Sequence, residues 1–253
     1  MIDQTTHDYT KFNPRDYLQE YYTEVSPENF ALLQFTVEAF KTIPSGGVLL
    51  DFGGGPTIYP LIAAANHVDE IHFYDYLDAN LNEVRLWLQS HHSAFVWQEF
   101  VSATLKLENQ DDCHTAQSVS ERKALIRQRV TRVFNCDLNN SPPIDEPIAY
   151  DIVITNFCME AAANDLRQWR EFFSKTVSLL KPSGFLLLGA VKDAKYYAVG
   201  DILFTAVSLN EDDLIQALIE EGFDHKSIVL ESVPADPSSH YEGLIMILAQ
   251  KLG

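Results

Sequence analysis

Cysteine is scarce in this chain of 253 residues: Cys113, Cys136 and Cys158 are the only three, and none stands in a C-x-x-C pair. An odd number without pairing motifs excludes a disulfide framework and a cysteine-rich metal site, and fits a reduced compartment. Basic residues are also few, with 18 Lys and Arg against 36 Asp and Glu and a formal charge of −18. That balance repels phosphate backbones, which excludes nucleic acid as a partner and favours a small neutral or cationic ligand. No apolar run approaches the roughly 18 residues of a membrane span, and the polar amino terminus has no apolar signal-peptide core. A soluble, cytoplasmic monomer is expected. The eight histidines contain no pair at the i, i+4 spacing of a helical zinc site, so they are read as surface residues and no metal is expected.

Hydrophobic residues make up 46% of the chain. A chain of this length buries about three quarters of its unfolded surface and needs no staple to hold a core. One domain over 1–253 is expected, with 1–25 as an aromatic segment containing a short helix and a lid-like loop. No internal repeat or low-complexity tract interrupts it.

The most informative stretch is Val48-Leu49-Leu50-Asp51-Phe52-Gly53-Gly54-Gly55-Pro56, an apolar run closing on an acid and three glycines. It reads as a strand that delivers a ligand to a tight turn, with Gly53 and Gly55 free to take positive φ and to let a ligand lie against bare main chain. A dinucleotide fingerprint G-x-G-x-x-G would need a glycine at 58, and Ile58 stands there. A second acid, Asp75, closes the next apolar run. Acids at successive strand ends suit an adenosyl ligand that carries an amino acid.

Strand and helix then alternate. Ser26-Pro27 caps and opens a helix with Phe30, Leu33, Val37 and Phe40 on one face, ended by Pro44 and Gly46-Gly47. Strands are expected at 48–52, 71–75, 132–136, 150–157 and 184–191, and helices at 57–66, 78–91, 164–180 and 210–221. The polar stretch from about 100 to 131 reads as an insertion or loop, with a charged helix near 119–131 whose Lys123, Arg127, Arg129 and Arg132 face solvent. Two final strands, 226–233 and 243–249, are joined too closely for a crossover helix and should be antiparallel. The expected fold is α/β, a Rossmann-like, seven-stranded, mostly parallel sheet with helices on both faces and an antiparallel carboxyl-terminal strand pair.

This layout resembles the class I S-adenosylmethionine-dependent methyltransferases. Three motifs narrow the resemblance: Phe12-Asn13-Pro14-Arg15-Asp16-Tyr17-Leu18 with Tyr21-Tyr22; Gly53-x-Gly55-Pro56-Thr57-Ile58-Tyr59; and Asp75-Tyr76 with Asn80. They are similar to those of the nicotinamide, phenylethanolamine and indolethylamine N-methyltransferase family. The resemblance implies S-adenosyl-L-methionine as cofactor and S-adenosyl-L-homocysteine as product. It puts Gly53, Gly55, Tyr17, Tyr22 and Tyr59 at the methionyl end, with Asp75, Tyr76 and Asn80 at the ribose. Asp137 and Leu138 fall at the adenine, and Asn156 at the amino-acid end.

The acceptor side departs from that pattern. Strand five ends in Gly189-Ala190-Val191, and Ala194 and Ala206 stand where the nicotinamide enzyme has small hydroxyl residues. No clear acid precedes the last strand, in Ser238-Ser239-His240-Tyr241-Glu242. Phe157, Asp193 and Tyr197 are candidates for the acceptor wall, and Tyr17 and Glu160 are the catalytic candidates, Glu160 as an ammonium partner or base. Methyl transfer to a nitrogen of a small amine or pyridine-like acceptor is the expected activity. Transfer to oxygen or sulfur, cofactor binding without turnover, and a dinucleotide enzyme remain as alternatives.

Overall fold

The computed structural model describes residues 5–109, 115–145, 148–236 and 239–253. Cys113 and the part of the polar stretch at 110–114 lie outside them.

Seven strands form one sheet: β1 (Val48–Phe52), β2 (Glu70–Asp75), β3 (Val130–Asn135), β4 (Tyr150–Asn156), β5 (Leu180–Lys192), β8 (Val229–Pro234) and β9 (Gly243–Gln250). Their order is β3-β2-β1-β4-β5-β9-β8. β1 pairs in parallel with β2 and β4, β2 with β3, and β4 with β5, whereas β9 runs antiparallel to β5 and β8. The strand order reverses between β1 and β4, which opens a crevice at their carboxyl ends.

Side-chain alternation divides the core into two layers. Leu49, Ile152, Ile154, Leu187 and Met246 face one side of the sheet, and Leu50, Val153, Leu186, Leu188, Ile245 and Ile247 the other. Strands buried on both faces read as continuous apolar runs for this reason. Each such fully buried side chain contributes about 1.5–3 kcal/mol relative to exposure.

Several of the helices begin where a side chain caps them. Ser26 Oγ accepts from Asn29 N at 3.1 Å to start α2 (Pro27–Thr42), following α1 (Pro14–Tyr21), and Asp165 caps α8 (Leu166–Val177). Asn210 and Asp213 cap α9 (Glu211–Glu220) reciprocally. The remaining helices are α3 (Tyr59–Ala64), α4 (Asp78–Leu88), α5 (Gln98–Asn109), α6 (Ala116–Arg129) and the single-turn α7 (Met159–Ala162). Among the described residues no helix is long and apolar enough to cross a membrane.

Several expectations are corrected. The stretch expected as an insertion holds two helices that pack into the fold: α5 buries Phe100, Val101 and Leu105 at helical spacing. On α6, Arg122 is buried and makes a bidentate pair with Glu108 at 2.7 and 2.6 Å. Arg127 is not simply solvated, since its guanidinium lies 4.3 Å over the Trp87 ring. Phe30 does not join the buried face of α2, being 43% exposed, and the helix expected over 57–66 shortens to 59–64. His72 is buried rather than at the surface, its ring nitrogens 3.0 Å from Tyr150 Oη and 3.0 Å from Glu70 Oε1. An unforeseen hairpin, β6 (Tyr196–Val199) with β7 (Ile202–Thr205), follows β5.

Candidate functional site

A cavity of about 920 Å³ lies above the carboxyl ends of β1, β2, β4 and β5. Its floor is the turn after β1. Gly53 and Gly55 have φ of +69° and +63°, as expected, but for different reasons. A Cβ on Gly53 would sit 2.0 Å from Cys158 Sγ, so close approach of the β4 loop requires that glycine. A Cβ on Gly55 would meet nothing within 4 Å and would project into open space, the geometry for a ligand against bare backbone.

Two buried acids stand beside this turn. Asp75 at the end of β2 accepts from Gly55 N at 2.9 Å, Leu77 N at 2.8 Å and Asn80 Nδ2 at 2.9 Å. Burial raises its pKa despite these bonds. Asp51 at the end of β1 is pushed up to about 8, first by burial and then by the charge of Asp75, and its Oδ2 has no hydrogen-bond partner. Asn80 Oδ1 is likewise buried and unpartnered. Unfilled polar atoms of this kind are costly and mark places for ligand groups.

The roof comes from the amino-terminal segment. Thr6 adds to the hairpin, its N donating to Leu203 O at 2.9 Å and its O accepting from Thr205 N at 3.0 Å. Tyr9 and Phe12 pack on Phe204, and Tyr9 Oη donates to Ala161 O at 2.5 Å. Asn13 caps α1, whose Arg15 Nε reaches Glu83 Oε1 on α4 at 2.7 Å. From α1, the Tyr17 ring packs on that of Tyr22 at 5.7 Å between centroids, Tyr22 stacks on Tyr59 at 5.5 Å, and Tyr59 Oη accepts from Asn156 Nδ2 at 3.0 Å. Burial holds the pKa values of Tyr17, Tyr22 and Tyr59 well above 10, so all three keep their hydroxyl protons as donors.

On the far wall, Phe157 takes φ of +56°, a strained conformation for a side chain of that size that costs about 1–3 kcal/mol. Its N donates to Gly189 O at 2.9 Å, and the bend turns Cys158 and Glu160 toward the cavity. Glu160 is buried, accepts from Val191 N at 3.1 Å, and is raised by burial to about 7. A carboxyl poised there can exchange a proton near neutrality. Asn156 fills the space of a side chain at 189, since a Cβ on Gly189 would lie 2.6 Å from its Oδ1.

Of the residues expected from sequence, Tyr17, Tyr22, Gly53, Gly55, Tyr59, Asp75, Asn80, Asp137, Leu138, Asn156, Phe157, Glu160 and Tyr197 all line this one cavity, and so does Tyr76 at its mouth, 56% exposed. Asp137 accepts from Asn139 N at 2.8 Å, and Leu138 O accepts from Lys175 Nζ at 2.7 Å. Asp193 does not reach the lining; its Oδ1 accepts from Ser208 Oγ at 3.2 Å. Val191, Ala194 and Ala206 do line it, so that part of the wall is apolar.

Sequence reasoning did not single out Glu20, Glu24, Glu28 or Tyr241, which also line the cavity. Glu28 follows Pro27 at a helix start, where an acid has a ready explanation in the helix dipole, and Tyr241 lies in a loop with no periodicity. Together with Asp51, Asp75, Asp137 and Glu160 the acids total seven, and no Lys or Arg among the described residues lines the cavity. The interior therefore favours positive charge and disfavours a polyphosphate.

Comparison with known proteins agrees with this architecture. The sequence profile of the NNMT/PNMT/TEMT family matches residues 1–252. Nicotinamide N-methyltransferase of Sus scrofa is 33% identical, with 95% of this chain and 93% of that protein aligned. Phenylethanolamine N-methyltransferase of Homo sapiens is 28% identical, over 97% of this chain and 90% of that protein. The solved structure of the N-methyltransferase NodS from Bradyrhizobium japonicum WM9, in complex with S-adenosyl-L-homocysteine, superposes with a TM-score of 0.53 at 12% identity. It covers 95% of this chain and 99% of that one, and shares the class I methyltransferase fold.

Proposed function

This chain belongs to the NNMT/PNMT/TEMT family of S-adenosylmethionine-dependent N-methyltransferases, and we propose that its cavity aligns the cofactor's methyl group with a nitrogen of a small amine or pyridine-like acceptor. The observation that carries the reading is the acidic cavity over the glycine turn, lined by no Lys or Arg among the described residues, with Asp51 Oδ2 and Asn80 Oδ1 buried and unpartnered in it.

The residues present fit the cofactor. Its sulfonium and ammonium are positive, which suits Asp51 and the surrounding carboxylates, and its ribose offers hydroxyls to Asp75 and Asn80. Tyr17, Tyr22 and Tyr59 would donate to its carboxylate, with Asn156 fixing Tyr59. Gly55 would admit its methionyl end against bare main chain, with the Gly53 backbone beside it, Tyr76 would flank the ribose, and Asp137 and the Leu138 backbone would hold the adenine.

When bound, the cofactor supplies an electrophilic methyl carbon on sulfur. The protein's part is to position and desolvate, because in-line displacement gains most from alignment and excluded water. The aromatic roof closes the site over both reactants. Phe157 and Tyr197 bound the acceptor, and Glu160 takes the proton an amine must lose before its lone pair is free. A pyridine nitrogen has no such proton to lose.

A small molecule rather than a macromolecule fits a cavity of about 920 Å³, and the charge of −18 supports the absence of a nucleic-acid partner. A monomeric, cytoplasmic enzyme completes the reading; among the described residues Cys136 and Cys158 are free thiols, which fits a reducing compartment. The test is a calorimetric titration with S-adenosyl-L-homocysteine, followed by a mass-spectrometric screen for methylated products over amines, pyridines, phenols and thiols. Binding with an N-methylated product is expected; methylation confined to oxygen or sulfur, or binding without turnover, would replace this reading.

A further inference from the structure

The part of the cavity nearest β9 holds a carboxylate that the contacts above leave unexplained. Glu28 sits in the first turn of α2, but its carboxylate caps no backbone N–H there: Ser26 already accepts from Asn29 N, and Pro27 has no N–H to satisfy. Instead Glu28 Oε2 accepts from the hydroxyl of Tyr241 at 2.7 Å, in the loop that enters β9. Its Oε1 is buried and has no hydrogen-bond partner. Both residues line the cavity beside Tyr21, Leu32 and Leu244.

A carboxylate oxygen withdrawn from water without a partner is costly, and the cost is recovered when a ligand supplies a positive donor. The Tyr241 hydroxyl keeps its proton, because burial and then the hydrogen bond to Glu28 raise its pKa. It therefore fixes one oxygen of Glu28 and leaves the other for a ligand. Val191, which pairs with Leu244 across the sheet, and Ala194 and Ala206 bring no polar side chain of their own to the lining.

Resting on the methyl-transfer reading, we infer that Glu28, held by Tyr241, is a specificity-determining residue that seats a positively charged group of the acceptor. The acceptor is then an amine that enters as an ammonium ion, in preference to a neutral pyridine. In an amine with a single nitrogen, such as phenylethanolamine, Glu28 receives that nitrogen as the ammonium and Glu160 takes its proton before it attacks, so the two acids act at different steps. Glu28 acts on acceptor affinity and Glu160 on turnover.

The experiment loads the full-length protein with S-adenosyl-L-homocysteine and titrates it with phenylethanolamine, a cation at pH 7.5, and with nicotinamide, which is neutral there. Wild type is expected to bind the amine more tightly. Glu28→Gln is expected to weaken the amine at least tenfold, leaving the affinities for nicotinamide and for S-adenosyl-L-homocysteine unchanged. Glu28→Asp, which keeps the charge, should retain more amine affinity than Glu28→Gln. In turnover with any amine the screen identifies, Glu28→Gln should raise KM with little change in kcat. Equal amine affinity in wild type and Glu28→Gln, or no amine binding by the loaded wild type, overturns the inference while leaving the cofactor reading standing. Failure to bind S-adenosyl-L-homocysteine at all overturns both, and unchanged affinity for it in the variant reports that the variant is folded.

Discussion

Asp51 and Asp75 stand at the ends of two adjacent parallel strands, paired so that Asp51 lies opposite Phe73, and both carboxylates are buried in the same cavity. The charge of Asp75 adds to burial in lifting Asp51 to about 8. Two like charges on neighbouring strand ends are tolerable where a cation is to be bound, and burdensome where none is present.

That relationship sets a pH dependence. Asp51 at about 8 and Glu160 at about 7 lie above their unfolded values of 3.8 and 4.5, so the folded protein holds protons that the unfolded chain has released. Their contribution is fully present below about pH 4 and is lost as pH rises through about 7 to 8, with a slope of up to about −1.4 kcal/mol per pH unit for each group. Thermal unfolding of the ligand-free protein should show Tm falling between pH 6 and 8.5. Asp51→Asn should flatten that fall, and a Tm independent of pH over the range would contradict the assignment.

The two glycines of the turn should separate stability from binding. Gly53→Ala drives a Cβ against Cys158 Sγ and strains a positive φ, and should cost roughly 2–4 kcal/mol of stability. Gly55→Ala meets no protein atom, so it should cost only about 1 kcal/mol from backbone strain while obstructing the ligand. Denaturant unfolding beside S-adenosyl-L-homocysteine titration measures both; a reversal of the two phenotypes would refute the division.

At the ribose position, Asp75→Ala should weaken S-adenosyl-L-homocysteine by about 1–3 kcal/mol, through lost charge-assisted hydrogen bonds and released Gly55 and Asn80. Tyr17→Phe should preserve the fold and raise the same Kd. Unchanged calorimetric affinities would remove these residues from the cofactor's contacts.

Glu160 should appear in the kinetics. With an amine acceptor, kcat/KM is expected to rise with pH through an inflexion near 7, as the carboxyl becomes able to accept a proton. Glu160→Gln should lower kcat by about 10²–10⁴-fold and abolish the inflexion, leaving S-adenosyl-L-homocysteine affinity intact. A retained inflexion would assign it to another group.

Much of this molecule is written locally. The run from Val48 to Gly55 carries its strand, its turn and its positive-φ positions in consecutive residues, and Ser26-Pro27 carries the start of α2. Such features depend on backbone sterics and nearest neighbours, which one chain segment contains entire. The helix α5 was harder to read because its buried residues Phe100, Val101 and Leu105 sit among polar ones and acquire meaning only against α2 and α3.

The acceptor side could not be read that way. Glu28 and Tyr241 are 213 residues apart and meet only because β9 folds in beside β5 and packs on α2. Glu160 owes its raised pKa to burial, which no local pattern encodes. The same distance separates motif from meaning at Gly53: the sequence determined that a glycine stands there and that the turn could form. That the glycine makes room for Cys158, while Gly55 opens toward the ligand, was decided by tertiary packing alone, because a steric contact exists only between atoms that the fold has brought together.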